Sequence, residues 1–195
     1  MHLNSELNLV FPIRFADDGT PLMYAYSTPI STEVFQANYR ILAAVNAEIW
    51  KKGINNAAAF ATVANLMLLD VAKLDAAQWG TEDTGKAFLA EIQRLSYILA
   101  PGANGFEMLP INIAIERKVI DQGDWAEAES AVIFLISGFL LLPRAARKRF
   151  AERIVSAIGG SITSSAPLEW VNSLPRSTPD EGSKAQASSQ KSSIG

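Results

Sequence analysis

The chain has 195 residues and a mass of 21.1 kDa, with 49% hydrophobic and 19% charged residues, a composition that suits one domain with a sizeable core and excludes a disordered polymer or a multi-span membrane protein. With 17 basic against 20 acidic side chains the net charge is −3, which lacks the positive excess of a dedicated nucleic-acid binder. Cysteine is absent and His2 is the single histidine, so thiol nucleophiles, disulfides, cysteine-ligated zinc and HExxH sites are closed, and a Ser-His-Asp relay would have to run through one residue beside the N-terminus.

Met1 to Glu6 show no basic cluster followed by an apolar stretch, so no secretory signal is expected. From Leu7 to Phe15 every odd position is apolar, which is strand period. Ala16-Asp17-Asp18-Gly19-Thr20 supplies a turn, and Leu22, Tyr24 and Tyr26 alternate beyond it, so residues 7–28 predict a β-hairpin. Pro12 has no N–H for a ladder, which places its strand at an edge or marks a bulge.

Ser31 suits the N-cap of a helix whose stripe is Phe35, Tyr39, Leu42, Val45 and Ile49, ending at Lys51-Lys52-Gly53. A second helix is expected from about Asn56 to Leu74, with Phe60, Val63, Met67, Val71 and Leu74 on one side. A third is expected from about Thr84 to Leu99, left by the loop Pro101-Gly102-Ala103-Asn104-Gly105. Pro110 suits the first position of a short helix reaching Ile120. Asp124 with Glu127 reads as a capping box for the most apolar helix, where Ala131 to Leu142 is broken only by Ser137 and Gly138. That run is too short to cross a bilayer, so it predicts a buried central helix or a subunit interface. After Pro143 a last helix runs from Arg144 to Ile158 and stops at Gly159-Gly160. Residues 161–195 hold ten Ser and little apolar matter besides Leu168 to Leu174, where Trp170 and Leu174 lie one helical turn apart.

The sequence thus predicts a mainly α fold: a helical bundle of about five helices with an N-terminal β-hairpin in residues 1–160, then a disordered C-terminal tail, 161–195, with a docking motif at 168–174.

Chemical candidates are few. Gly80 to Ala87 spells Gly-x4-Gly-Lys, but Ala87 stands where a phosphate loop needs a magnesium-binding hydroxyl, and Glu82 and Asp83 would face the phosphates. Asp17/Asp18 and Glu127/Glu129 have local roles in a turn and in a first helical turn. No catalytic residue, metal ligand or cofactor site emerges. The chain is electrically polarised: residues 1–143 carry 9 basic and 16 acidic side chains, a net −7, and residues 144–195 carry 8 and 4, a net +4. Arg144, Arg147, Lys148, Arg149 and Arg153 concentrate the positive end and support one alternative, a small helical nucleic-acid-binding regulator acting through 144–153, which lacks interleaved aromatics for stacking.

One order of landmarks remains: Phe15-Ala16-Asp17-Asp18-Gly19, then Tyr26-Ser27-Thr28-Pro29-Ile30-Ser31-Thr32-Glu33-Val34-Phe35, a helical middle with Glu91-Ile92-Gln93-Arg94-Leu95, an apolar helix after Val119-Ile120-Asp121, and Asn172-Ser173-Leu174-Pro175-Arg176-Ser177-Thr178. Across residues 15–179 this succession resembles the tail assembly chaperones of long-tailed bacteriophages. The resemblance implies a non-enzymatic protein without cofactors. Such a protein binds the tape measure protein, keeps that long apolar chain soluble, helps recruit tail tube subunits, works in the host cytoplasm and is absent from the mature virion. It also implies a frameshifted longer form, whose join the stretch Ser188-Ser189-Gln190-Lys191-Ser192 would suit. A homo-oligomer stays open. The candidate partner-binding residues are Phe134, Phe139 and Leu140 on the apolar helix, Arg144, Arg147 and Arg149 on the basic one, and Trp170 and Leu174 in the tail.

Overall fold

The computed structural model describes residues 7–51, 59, 61–103 and 105–174. The expected hairpin forms, with β1 (Asn8–Phe15) antiparallel to β2 (Pro21–Ser27). Gly19 takes φ +82° in its turn, and the Thr20 amide donates to Asp18 Oδ1 at 2.8 Å. The register shifts between Pro12 and Arg14, so Pro12 marks a bulge rather than an edge.

A five-stranded antiparallel sheet replaces the lone hairpin, in the order β4-β3-β2-β1-β5, and seven helices stand among the described residues instead of about five. The mainly helical bundle is therefore corrected to a helix-covered sheet. The third predicted helix is where the reading departs first. The helix α3 (Gly85–Arg94) stops five residues early, and Ser96–Gly102 is β3, paired with β2 on one side and with β4 (Gly105–Pro110) on the other. A strand buried on both faces reads as a continuous apolar run, which periodicity cannot separate from a helix, and Leu95 and Leu99 happened to fall at helical spacing. Of the loop expected at 101–105, Pro101 and Gly102 belong to β3 and Gly105 opens β4, and Asn104 lies outside the described residues.

The fold also continues past residue 160. Ser161–Thr163 forms β5 against Asn8 to Val10, and Pro167–Ser173 forms the helix α7, so the expected tail boundary falls inside the folded unit. Residues 175–195 lie outside the described residues.

One sheet face carries Leu9, Phe11, Ala25, Ile98, Ala100 and Leu109 and packs under the helices α1 (Thr32–Lys51), α2 (Ala64–Trp79), α3 and α5 (Gln122–Phe139). A short α4 (Ile111–Glu116) links β4 to α5, and α6 (Arg144–Ile158) packs on α5 and ends at Gly159 with φ +71°. The apolar α5 is the central helix: every residue from Ala128 to Phe139 is buried. Its capping box is Asp121 with Asp124 rather than Asp124 with Glu127, each side chain accepting the other's amide at 2.9 Å, and Asp124 also pairs with Arg14 at 2.8 Å. Gly138 on α5 lets the Phe150 ring of α6 lie against the helix backbone.

The opposite sheet face holds Val10, Tyr24, Tyr26, Leu99, Phe106 and Met108, and α7 lies over it through Trp170 and Val171. The Trp170 ring meets Tyr24 edge-on with centroids 5.0 Å apart. Tyr26 and Asn8 both donate to the Ser165 carbonyl, which anchors the segment leading into α7. Burial, then the charge of Glu169, pushes the Tyr26 phenol up to about 12, so it stays protonated and donating.

Candidate interaction surface

The helix α2 intersperses large apolar residues with polar ones all round, and the core uses only one side of it. Ala64, Leu68 and Ala72 are buried against α1, α5 and α3. The side expected to face the core, Val63, Met67, Val71 and Leu74, does so only in part: Met67 and Val71 pack half-buried at the edge of the core, while Val63 and Leu74 are 38% and 70% exposed. Phe60 of that expected stripe lies outside the described residues. Small residues won the buried side because alanines let α2 approach its neighbours closely, while the larger side chains remain outside. Leu66 adds to the outer side at 59% exposure.

The start of α2 is fixed from α5. Asn65 donates through Nδ2 to Glu129 Oε2 at 3.2 Å, its amide reaches Ser130 Oγ, and its Oδ1 accepts from the Leu66 amide at 2.7 Å. Burial raises the Glu129 pKa, opposed by hydrogen bonds from Asn65 and Trp125. Among the described residues no buried side-chain nitrogen or oxygen lacks a partner, so Glu129 and Ser130 serve the α2–α5 contact.

Between α1 and α2 runs a groove of about 380 Å³, lined by Ala44, Met67 and Val71, by the exposed Leu74, and by Glu48, Asp70, Asp75 and Gln78. Its carboxylates are laced to nearby cations: Asp75 to Arg40 at 2.8 Å, Glu48 to Lys51, and Asp70 loosely to Lys73 at 4.0 Å. The Arg40 guanidinium also stacks 5.5 Å from the exposed Trp79 ring. A groove between two helices, lined by apolar and polar side chains together, is the shape that receives one face of an amphipathic helix.

The residues singled out from the sequence separate. Phe134 and Phe139 are core side chains, 4% and 7% exposed, and present no surface for a partner; Leu140 is half-buried at the end of α5. Arg147 turns inward, donating to the Leu142 carbonyl at 2.9 Å and the Leu140 carbonyl at 3.3 Å while lying 5.5 Å over Phe139. It therefore closes the exposed C-terminal carbonyls after α5, the usual role of a cation at a helix end. Arg149 is exposed, and with Arg153 it rims a second shallow groove of about 410 Å³ over Leu142, Ala145, Ala146 and Phe150. Arg144 opens α6, but its side chain lies outside the described residues. Trp170 is half-buried on Tyr24, and Leu174 ends α7, its amide on the Val171 carbonyl at 3.1 Å. The 168–174 motif is thus docked on the chain's own sheet. The α2 surface was missed because the sequence assigned its apolar side to the core. Large apolar residues spread round the whole helix, with no side left to polar residues alone, were the available signal.

No helix among the described residues is long and apolar enough to cross a membrane. Comparison with family models, curated proteins and solved structures gives no match to this chain.

Proposed function

We propose that this chain is a non-enzymatic tail assembly chaperone of a long-tailed bacteriophage, which holds apolar helical segments of the tape measure protein in solution. The observation that carries the reading is the set of large apolar side chains that α2 and its N-cap leave outside the core: Val63, Leu66 and Leu74 stand in water beside the groove lined by Met67 and Val71. Covering such side chains gains roughly 25 cal/mol per Å² of apolar area, so a client helix that masks its own apolar stripe there is stabilised against self-association. The landmarks from Phe15 to Thr178 described above supply the particular client. In the same reading, tail tube subunits are recruited by the segment beyond α7, and the protein acts in the host cytoplasm without entering the virion.

Co-expression with the tape measure protein of the same genome tests this, with soluble client and co-purification as readouts. Client that stays insoluble and does not co-purify overturns the reading. Recruitment of tube subunits is tested by truncation after Leu174, because a cut at 160 would remove β5 and α7 from the folded unit. Unchanged recruitment by the truncated chain would remove residues 175–195 from the mechanism.

A further inference from the structure

The exposed side of α2 is a regular row. Val63, Leu66, Asp70, Lys73 and Ala77 are all exposed and follow one another at spacings of three and four, with Leu74 beside them and Gly80 closing the helix. That spacing is the seam by which one helix packs along another. The two charged members sit mid-row and are nearly free of the rest of the molecule: Asp70 and Lys73 have side-chain exposures of 79% and 64% and meet only at 4.0 Å.

We infer that this row is a contact between two copies of the chain, packed antiparallel through α2 about a two-fold axis between Val71 and Ala72. In this register Asp70 of each copy faces Lys73 of the other. Leu66 faces Ala77, and Val63 faces Gly80, so every layer pairs a large with a small residue or an acid with a base. By symmetry each layer occurs twice. A parallel pairing would set Asp70 on Asp70, Lys73 on Lys73 and Leu66 on Leu66. The charges therefore select the antiparallel form, and the apolar members supply the attraction. Asp70 and Lys73 gain partners across the axis without any change in fold, because their internal ion pair is loose and solvated. A contact made by a single 16-residue helix is smaller than the roughly 1,600 Å² of a standard interface, so the dimer is concentration-dependent rather than permanent.

Sedimentation velocity on the full-length chain alone, without client, tests this from about 1 to about 200 µM, a range that brackets micromolar association. The expected result is a reversible monomer–dimer equilibrium. Asp70→Lys and Lys73→Asp should each weaken it by about tenfold or more, because each places like charges across the axis. The combined variant, with both charges exchanged, should restore it. All three changes lie in water, and circular dichroism at the same concentrations checks that the helices persist. A monomer throughout the range overturns the inference, as does a dimer indifferent to the single reversals or a combined variant that stays monomeric. Val63 and Leu66 are also covered by the client in the proposed function, so client and second copy compete for this side; because no client is present here, these outcomes are separate from those of the co-expression experiment.

Discussion

Replacing Gly138 by Ala probes how α5 and α6 meet, and the structure sets both the sign and the size of the effect. A Cβ at position 138 would lie 2.4 Å from Cζ and 2.7 Å from Cε1 of Phe150, well inside contact distance, so the ring has to swing outward or the helices have to part. Overpacking of this kind costs about 1 to 3 kcal/mol, while exchanging an interior helical Gly for Ala returns about 1 kcal/mol through backbone entropy. The net expectation is a destabilisation of up to about 2 kcal/mol. Phe150→Ala removes the obstacle, so Gly138→Ala in that background should be neutral or stabilising by up to about 1 kcal/mol. Urea denaturation followed by far-UV circular dichroism on the four proteins of the cycle gives the coupling from shifts in midpoint at constant slope. An equal effect of Gly138→Ala in both backgrounds, that is, no coupling with Phe150, would refute the packing argument.

Glu129 gives a prediction in pH. Its folded pKa is raised above the ordinary carboxylate value, so the folded state binds the proton more tightly. Its contribution is then fully favourable below the unfolded pKa and is lost as pH rises toward the folded one. Glu129→Gln should remove that dependence and be the more stable protein at neutral pH, and parental stability that falls on acidification relative to the variant would contradict this. Tyr26→Phe leaves the Ser165 carbonyl with Asn8 alone and should cost about 1 to 2 kcal/mol while loosening α7, read as faster hydrogen exchange in residues 167–173. Unchanged exchange there would show that Trp170 and Val171 hold α7 unaided. Arg147→Ala unseals the Leu140 and Leu142 carbonyls and should destabilise by about 1 to 3 kcal/mol, whereas Arg149→Ala, exposed and without an ion pair among the described residues, should fall within about 0.5 kcal/mol of the parent. Equal effects at the two arginines would contradict the inward role of Arg147.

Elements with a single apolar face were legible from the residues alone. The β1–β2 hairpin announced itself through strict alternation and Asp18-Gly19, and α1 through its Ser31 cap, whose Oγ accepts the Val34 amide at 3.2 Å. The centre of the sheet was not legible, because β3 is buried on both sides and lost its alternation. β5 and α7 escaped because a three-residue strand and a seven-residue helix have no stability of their own and exist through what they dock on. The candidate surface was misread for a related reason. On α2 the periodicity allowed either side to be the buried one, and the closeness that alanines permit decided it. Arg147 looked like part of a basic patch, whereas the need to close α5 after Leu140 claimed it.

Paired substitution of Leu66→Glu and Leu74→Glu followed by co-expression with the tape measure protein tests the central role of α2 most directly. Both side chains lie in water, so the fold should survive and circular dichroism should match the parent. Soluble client should fall to the level found without any chaperone. A variant that keeps the client as soluble as the parent does would contradict it.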